Sequence, residues 1–228
     1  ASLLTVWAQV LAGESGVGEL TGSLEGLDEN DPEVYVATHA DRVLEYLYAL
    51  PDTAQSICAR HVRDTSLGMA RWQMHGPVVS NEAEMDDYMH QVAGRVGYLL
   101  TELFSWYCPA IEKLKERLMP LAREFGLALQ TVNIIRGIKN DYERGWVFIP
   151  ATFYRQFGLN SNELFSADKK DHALEVVDMI SRKAERHLQN GLTYITLLPR
   201  FQRRIRLFCI WPLLFAVIQG GEDPALRR

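Results

Sequence analysis

Gln130–Pro150 reads QTVNIIRGIKNDYERGWVFIP, and its polar residues recur at helical intervals. Counting from Asn133, Arg136, Asn140 and Asp141 lie three, seven and eight positions on, offsets that return to one face of an α-helix. An amide, a guanidinium and a carboxylate on one stripe can hold a divalent cation and the phosphate oxygens it bridges. Mg²⁺ takes hard oxygen ligands, and Arg grips phosphate with two parallel hydrogen bonds. The same residue types also make a plain solvated stripe on an amphipathic helix, and spacing alone does not separate the two. Gly145 supplies a stop for the helix.

Outward from this segment, helical patterning continues almost everywhere. Asp31-Pro32 gives a cap and first turn, and Val36, Ala40, Val43, Leu44 and Leu47 carry a helix through Glu33–Leu50. A second helix starts at Asp52 and runs to about Met74. A third opens at Ser80 or Asn81 and runs to about Tyr107. A break near Pro120 precedes the Gln130 helix. Pro150 and Gly158 bracket a short helix, Asp168 or Lys169 begins a long one to about Leu198, and Pro199 begins the last, which Pro212 should kink. Gly13–Gly26 reads as a surface connection. No period-two alternation is long enough to build a sheet, so the expectation is an all-α, single-domain helical bundle over residues 1–228.

Bulk properties narrow the function. A chain of 228 residues with 47% hydrophobic content can bury one good core. Its net charge of −5 argues against a nucleic-acid surface, which needs a basic face. The local cluster Arg200, Arg203, Arg204 and Arg206 is the exception, either a solvated helix face or a surface for anionic headgroups. Cys58, Cys108 and Cys209 lack CxxC spacing and read as buried thiols of a reducing cytosol. The apolar run Leu207–Ile218 is shorter than the roughly 18 residues that span a bilayer, so a cytoplasmic chain with at most peripheral membrane contact is expected.

The motif wording resembles the second Asp-rich motif of squalene and phytoene synthases, in which NIIRD is followed by an acidic pair, an Arg-Gly and an aromatic-rich run ending in Pro. Three further segments, in order, resemble the same family: Leu67–Trp72 (LGMARW), Asp87–Leu103 (DYMHQVAGRVGYLLTEL) and Phe208–Ala216 (FCIWPLLFA), the last favouring the squalene branch. The resemblance implies an all-α isoprenoid-synthase bundle around a central cavity. It also implies head-to-head condensation of two farnesyl diphosphates through presqualene diphosphate, with Mg²⁺ and, if the product is squalene, NADPH.

By the same resemblance Tyr88 and Arg136 are the catalytic candidates. Tyr88 would sit beside the reacting carbons, its ring facing a carbocation and its hydroxyl moving a proton. Gln130, Asn133, Arg136 and Arg144 would contact the prenyl diphosphate, with Asn133 and Asp141 holding metal. Around Tyr88, Gln91 and Arg95 share a side, while Ala93, Gly94 and Gly97 allow either a close helix approach or a channel. His90 reads as a structural histidine between helices. Trp72, Phe104, Phe125, Phe208 and Trp211 are candidates for an apolar tunnel.

The chain also departs from the family pattern. Gly137 stands where the motif has its first Asp, Asn140 replaces the Glu before the second, and Trp146 replaces an Arg. The family's first Asp-rich motif is expected to lie just before Leu3–Ser15 (LLTVWAQVLAGES); alternatively, AGES occupies its place without the carboxylates. These losses keep two other expectations open, a non-catalytic binding or assembly module and a divergent prenyl synthase with another substrate.

Overall fold

A computed structural model describes residues 3–14, 16, 18 and 32–222. Among them the secondary structure is helical, with one isolated parallel bridge between Val78 and Val147. The chain divides into two compact units, Ala1–His75 and Gly76–Arg228. The connection expected over Gly13–Gly26 lies mostly outside the described residues.

The first unit contains α1 (Leu3–Leu11), α2 (Pro32–Thr38), α3 (Ala40–Tyr48) and α4 (Asp52–His75). Val6, Val10, Ala37, Ala40 and Leu44 form its buried cluster, and α1 packs along α4. The single helix expected over Glu33–Leu50 is broken at His39. There the Thr38 hydroxyl donates to the Tyr35 carbonyl at 2.9 Å and His39 Nδ1 lies 2.8 Å from the same oxygen. Side chains compete with the helical ladder for that acceptor, which ends α2 and starts α3 one residue later.

The second unit begins with α5 (Glu82–Met89), a π-helical turn (His90–Gly94) and α6 (Arg95–Tyr107). Asn81 caps α5 by accepting from the Glu84 N–H at 3.0 Å, while Glu84 accepts from the Ser80 N–H at 2.7 Å. α7 (Pro109–Glu112) is a single turn, and α8 (Lys115–Glu143) is the central rod, followed by α9 (Ala151–Arg155). Two short 3₁₀ turns then lead to α10 (Lys170–Leu197), and α11 (Arg203–Glu222) ends the described chain. α8 packs against α6, α10 and α11, around buried Ile111, Leu118, Tyr194, Ile195 and Leu213.

Pro120, expected to mark a break, lies inside a helix, while Pro212 lies within the last helix as expected. Pro120 is the sixth residue of α8 and Pro212 is within α11. At the sixth position the proline costs the ladder one bond, the one its missing N–H would have made to the Glu116 carbonyl, and the helix continues through it. The break expected near Pro120 falls instead at Cys108–Leu114. Similarly, the last helix begins at Arg203 rather than Pro199, after a turn closed by the Gln202 N–H donating to the Pro199 carbonyl at 3.0 Å.

Two features bring α6 and α8 unusually close. A Cβ on Gly97 would lie 2.0 Å from the Ala122 carbonyl oxygen, and one on Gly126 would lie 2.3 Å from that of Ala93. These glycines let backbone meet backbone, with the helices antiparallel. The π turn sits at this crossing, a position where the extra residue re-aims the following side chains.

Candidate functional site

An apolar cavity of about 340 Å³ runs along the α6–α8 contact. Val92, Val96 and Leu100 form one wall, Leu129 another, and Phe104, Phe125 and Phe208 contribute aromatic surface. Gly97, Ala122 and Gly126 are in the same wall, so the small residues serve both close approach and cavity space. At one end the lining turns polar with Gln130 and Asn133. Their amides face each other, Asn133 Nδ2 donating to Gln130 Oε1 at 3.4 Å.

A second cluster lies further along α8. Asp141 pairs with Arg144 at 2.5 Å, the carboxylate mostly covered and the guanidinium open to solvent. Tyr88 is held by ring stacking on Phe148, centroids 4.3 Å apart, and Phe148 stacks in turn on Trp146 at 5.5 Å. Burial pushes the Tyr88 hydroxyl up to about 12; Asp141 raises it further and Arg144 works the other way. Tyr88 therefore stays protonated through the neutral range and can act as a hydrogen-bond donor.

Local sequence explains how this cluster is positioned. Gly145 takes φ +83°, its N–H bonding the Tyr142 carbonyl while the Trp146 N–H bonds that of Asp141 at 2.8 Å. This paired closure of a helix end turns the chain sharply. The next residues are then stitched to the segment before α5: the Val147 N–H donates to Pro77, and the Val79 and Ala151 N–H groups donate to Val147 and Val79. The stitching carries Trp146 and Phe148 onto the Tyr88 ring.

The predicted stripe is thus divided between two places. Gln130 and Asn133 line the large cavity; Asp141 and Arg144 stand with Tyr88; and Arg136, between them on α8, is exposed. Of the tunnel aromatics, Phe104, Phe125 and Phe208 line the cavity, whereas Trp72 is buried in α4 and Trp211 is exposed on α11. Asp87, Gln91 and Arg95 form a hydrogen-bonded row, Gln91 donating to Asp87 at 2.9 Å and accepting from Arg95 at 2.7 Å.

The donor set does not fit Mg²⁺. Asn133 and Asp141 are eight positions apart on one helix, a rise of about 12 Å, whereas Mg²⁺ needs ligands at about 2.1 Å. No group of three His, Cys, Asp or Glu side chains among the described residues could hold a metal ion. Asp141 is already matched by its own Arg144.

Sequence reading missed a set of long-range polar contacts that fix α10. Lys183, almost fully buried, reaches Asp86 at 2.7 Å and Glu82 at 3.1 Å. His187 Nδ1 meets Glu124 Oε2 at 2.6 Å, with Asn190 donating to the same oxygen at 3.3 Å. Burial holds His187 below its ordinary value, although the Glu124 hydrogen bond opposes this. A Lys and a His on the buried side of an amphipathic helix were the available signal, since such groups stay buried only when paired.

The squalene/phytoene synthase family model matches residues 8–217, and the chain belongs to that family. It is 29% identical over 172 residues to squalene synthase of Homo sapiens, covering 74% of this chain and 39% of that one. With squalene synthase of Schizosaccharomyces pombe it shares 26% over 201 residues, 84% of this chain and 42% of that one. A bifunctional lycopene cyclase/phytoene synthase of Podospora anserina is 36% identical over 98 residues, 42% of this chain and 16% of that protein. The chain spans about two fifths of the length of these squalene synthases.

Solved structures carry the fold. A complex of TcSQS with the ligand BPH1237 superposes with a TM-score of 0.78 at 19% identity, covering 99% of this chain and 70% of that one. Squalene synthase HpnC from Alicyclobacillus acidocaldarius gives a TM-score of 0.60 at 18% identity, covering 96% and 72%. The all-α bundle is therefore the squalene-synthase, isoprenoid-synthase-type fold.

Proposed function

We propose that this chain binds a prenyl diphosphate, farnesyl diphosphate in particular, and that its activity is squalene-type head-to-head condensation through presqualene diphosphate. The supporting observation is the cavity: an apolar slot of about 340 Å³ that ends in a pair of amides. A hydrocarbon chain gains from burial along the aromatic wall. The diphosphate would then meet Gln130 and Asn133, with Arg136 one turn further on α8 to neutralise it. Tyr88, protonated and fixed by Phe148, stands outside the cavity lining with Asp141 and Arg144, and offers a hydroxyl proton and an aromatic face to a substrate that reaches that cluster. Arg144 is the remaining cation, shared with Asp141.

The family's usual Mg²⁺ is not matched by the donors among the described residues. NADPH is required only for a squalene product. That mismatch, with Gly137 at the motif's first Asp position, supports a second reading in which the chain is a non-catalytic binding module of the same fold. Pyrophosphate release from farnesyl diphosphate in the presence of Mg²⁺ and NADPH tests the first reading. Calorimetry with a non-ionisable farnesyl diphosphate analogue, with and without Mg²⁺, separates the two. Metal-dependent binding with turnover supports the synthase, binding without turnover supports the module, and no binding at all overturns both.

A further inference from the structure

The polar contacts that hold α10 on α8 lie one turn from the cavity wall. His187, Asn190, Gly191 and Tyr194 follow one another at offsets of three, four and seven, a single face of α10. Glu124 Oε2 accepts from His187 Nδ1 at 2.6 Å and from Asn190 Nδ2 at 3.3 Å, and its other carboxylate oxygen accepts from Arg123 at 3.1 Å. His187 Nε2 is buried without a partner among the described residues, so the ring proton belongs on Nδ1, where Glu124 receives it.

The next two positions of that face meet the residue that follows Glu124. A Cβ on Gly191 would lie 3.3 Å from the Phe125 ring and 3.2 Å from Leu213, so a glycine is what lets α10 come this close. The Tyr194 ring packs edge-on to Phe125, centroids 5.8 Å apart. Its hydroxyl lies 2.9 Å from Thr101 Oγ1, and because Thr101 donates its own hydrogen to the Gly97 carbonyl at 2.8 Å, Tyr194 is the donor. Gly97 is also where α6 touches Ala122. Ala122 lies eight residues back along α8 from Gln130, about 12 Å. Phe125 and Tyr194 both line the cavity, and they therefore stand at its end away from the Gln130 and Asn133 amides.

We propose that Glu124, clamping His187 and Asn190, is a positioning residue that fixes this end wall and thereby the length of prenyl chain the cavity accepts. The inference rests on the reading of the cavity as a prenyl site. With the clamp closed, Phe125 and Tyr194 meet edge to face and bound the slot of about 340 Å³. Without the carboxylate, His187 and Asn190 lose their common acceptor, and α10 can shift beside Phe125. A longer chain then reaches past the wall. Lys183, eight residues before Gly191 on the same face, is tied instead to Asp86 and Glu82 of α5, two turns from the wall.

Equilibrium dialysis of the whole chain with labelled geraniol, farnesol and geranylgeraniol reads the wall without any diphosphate. Each affinity is taken relative to that for farnesol, so a fraction of unfolded protein cancels. Wild type should favour farnesol over geranylgeraniol. Glu124→Ala should shift that preference toward geranylgeraniol roughly tenfold, the scale on which an apolar pocket senses a small change in size. Glu124→Gln keeps an oxygen for both donors and should keep the preference, while Gly191→Ala, which presses on Phe125, should move it toward geraniol. Lys183→Met should lower stability and leave the ratios alone. An unchanged ratio in Glu124→Ala, the same shift in Lys183→Met as in Glu124→Ala, or no binding of any alcohol by wild type overturns the proposal. Failure of the farnesyl diphosphate analogue to bind, with these ratios intact, would instead remove the diphosphate reading and leave the clamp standing.

Discussion

Replacing Gly97 by Ala tests the closeness of α6 and α8 directly. The new Cβ would lie 2.0 Å from the Ala122 carbonyl oxygen and 2.7 Å from its carbon, whereas carbon and oxygen normally stay about 3.3 Å apart. The obstacle is helix backbone, so no rotamer change relieves it, and α6 must retreat by about 1.3 Å. A gap of about 0.5–1 Å already forfeits a quarter to a half of each dispersion contact. Overpacking of this kind costs about 1–3 kcal/mol, and a main-chain clash belongs at the upper end or beyond. Better helix propensity returns about 0.5–1 kcal/mol, leaving a net loss of about 2–3 kcal/mol. At about 2–4 °C per kcal/mol for a chain of this size, Tm falls by about 4–12 °C. Gly137→Ala is the control: its Cβ would meet only the end of the Asp141 side chain, at 3.0 Å. A flexible carboxylate can move, so that variant should match wild type or gain up to about 1 kcal/mol. Thermal and urea unfolding followed by circular dichroism measure both. If Gly97→Ala unfolds within about 0.5 kcal/mol of wild type, the backbone-on-backbone contact is wrong.

Three further perturbations address the polar groups. His90 is pushed down to about 4 by burial first and then by Arg123 and Arg95, with Asp87 opposing. A folded value below the unfolded one of about 6.5 means that its stability contribution is complete above that pH and lost as pH falls toward 4. Allowing for partial exposure, about 1–2 kcal/mol should disappear across that window, and His90→Gln should flatten the urea-unfolding profile there. Asp141→Asn should lower the Tyr88 value from about 12 and Arg144→Gln should raise it; spectrophotometric titration against Tyr88→Phe reads both, and two shifts of the same sign would break the assigned coupling. Lys183→Met removes the cation between Asp86 and Glu82. Because both carboxylates keep some access to water, a loss of about 2–3 kcal/mol is expected rather than the larger cost of a fully buried orphan charge. Adding Asp86→Asn should restore part of it, and full additivity of the two substitutions would mean that they do not interact.

Much of the fold is legible locally. Asn81 caps its helix by the expected mechanism, Gly145 ends α8 with a left-handed turn, and α10 runs close to its expected length. Periodicity and caps are short-range signals, and short-range hydrogen bonds realise them. The failures arise where another interaction outweighs the signal. Pro120 costs α8 a single ladder bond and does not end it, and the helix expected across His39 is cut by side chains that bond Tyr35. The π turn at His90–Gly94 was not anticipated from the pattern. The site was legible residue by residue but not as an assembly: nothing near Tyr88 in sequence announces Phe148, and nothing near Asp86 announces Lys183.

Gly137 joins these two levels. The position directs its missing Cβ toward the Asp141 carboxylate, so an aspartate there would set two negative groups side by side on α8. Two like charges at that separation require a cation between them. In this chain there is one carboxylate and a single guanidinium beside it, the Asp141–Arg144 pair at the helix C-terminus, where a cation is also favoured by the unsatisfied carbonyls. Arg144 thus supplies at Asp141 the positive charge that a denser acidic motif would have to take from an ion. With glycine at 137, the charge of Asp141 is balanced by Arg144 within the helix end itself, without a second carboxylate beside it.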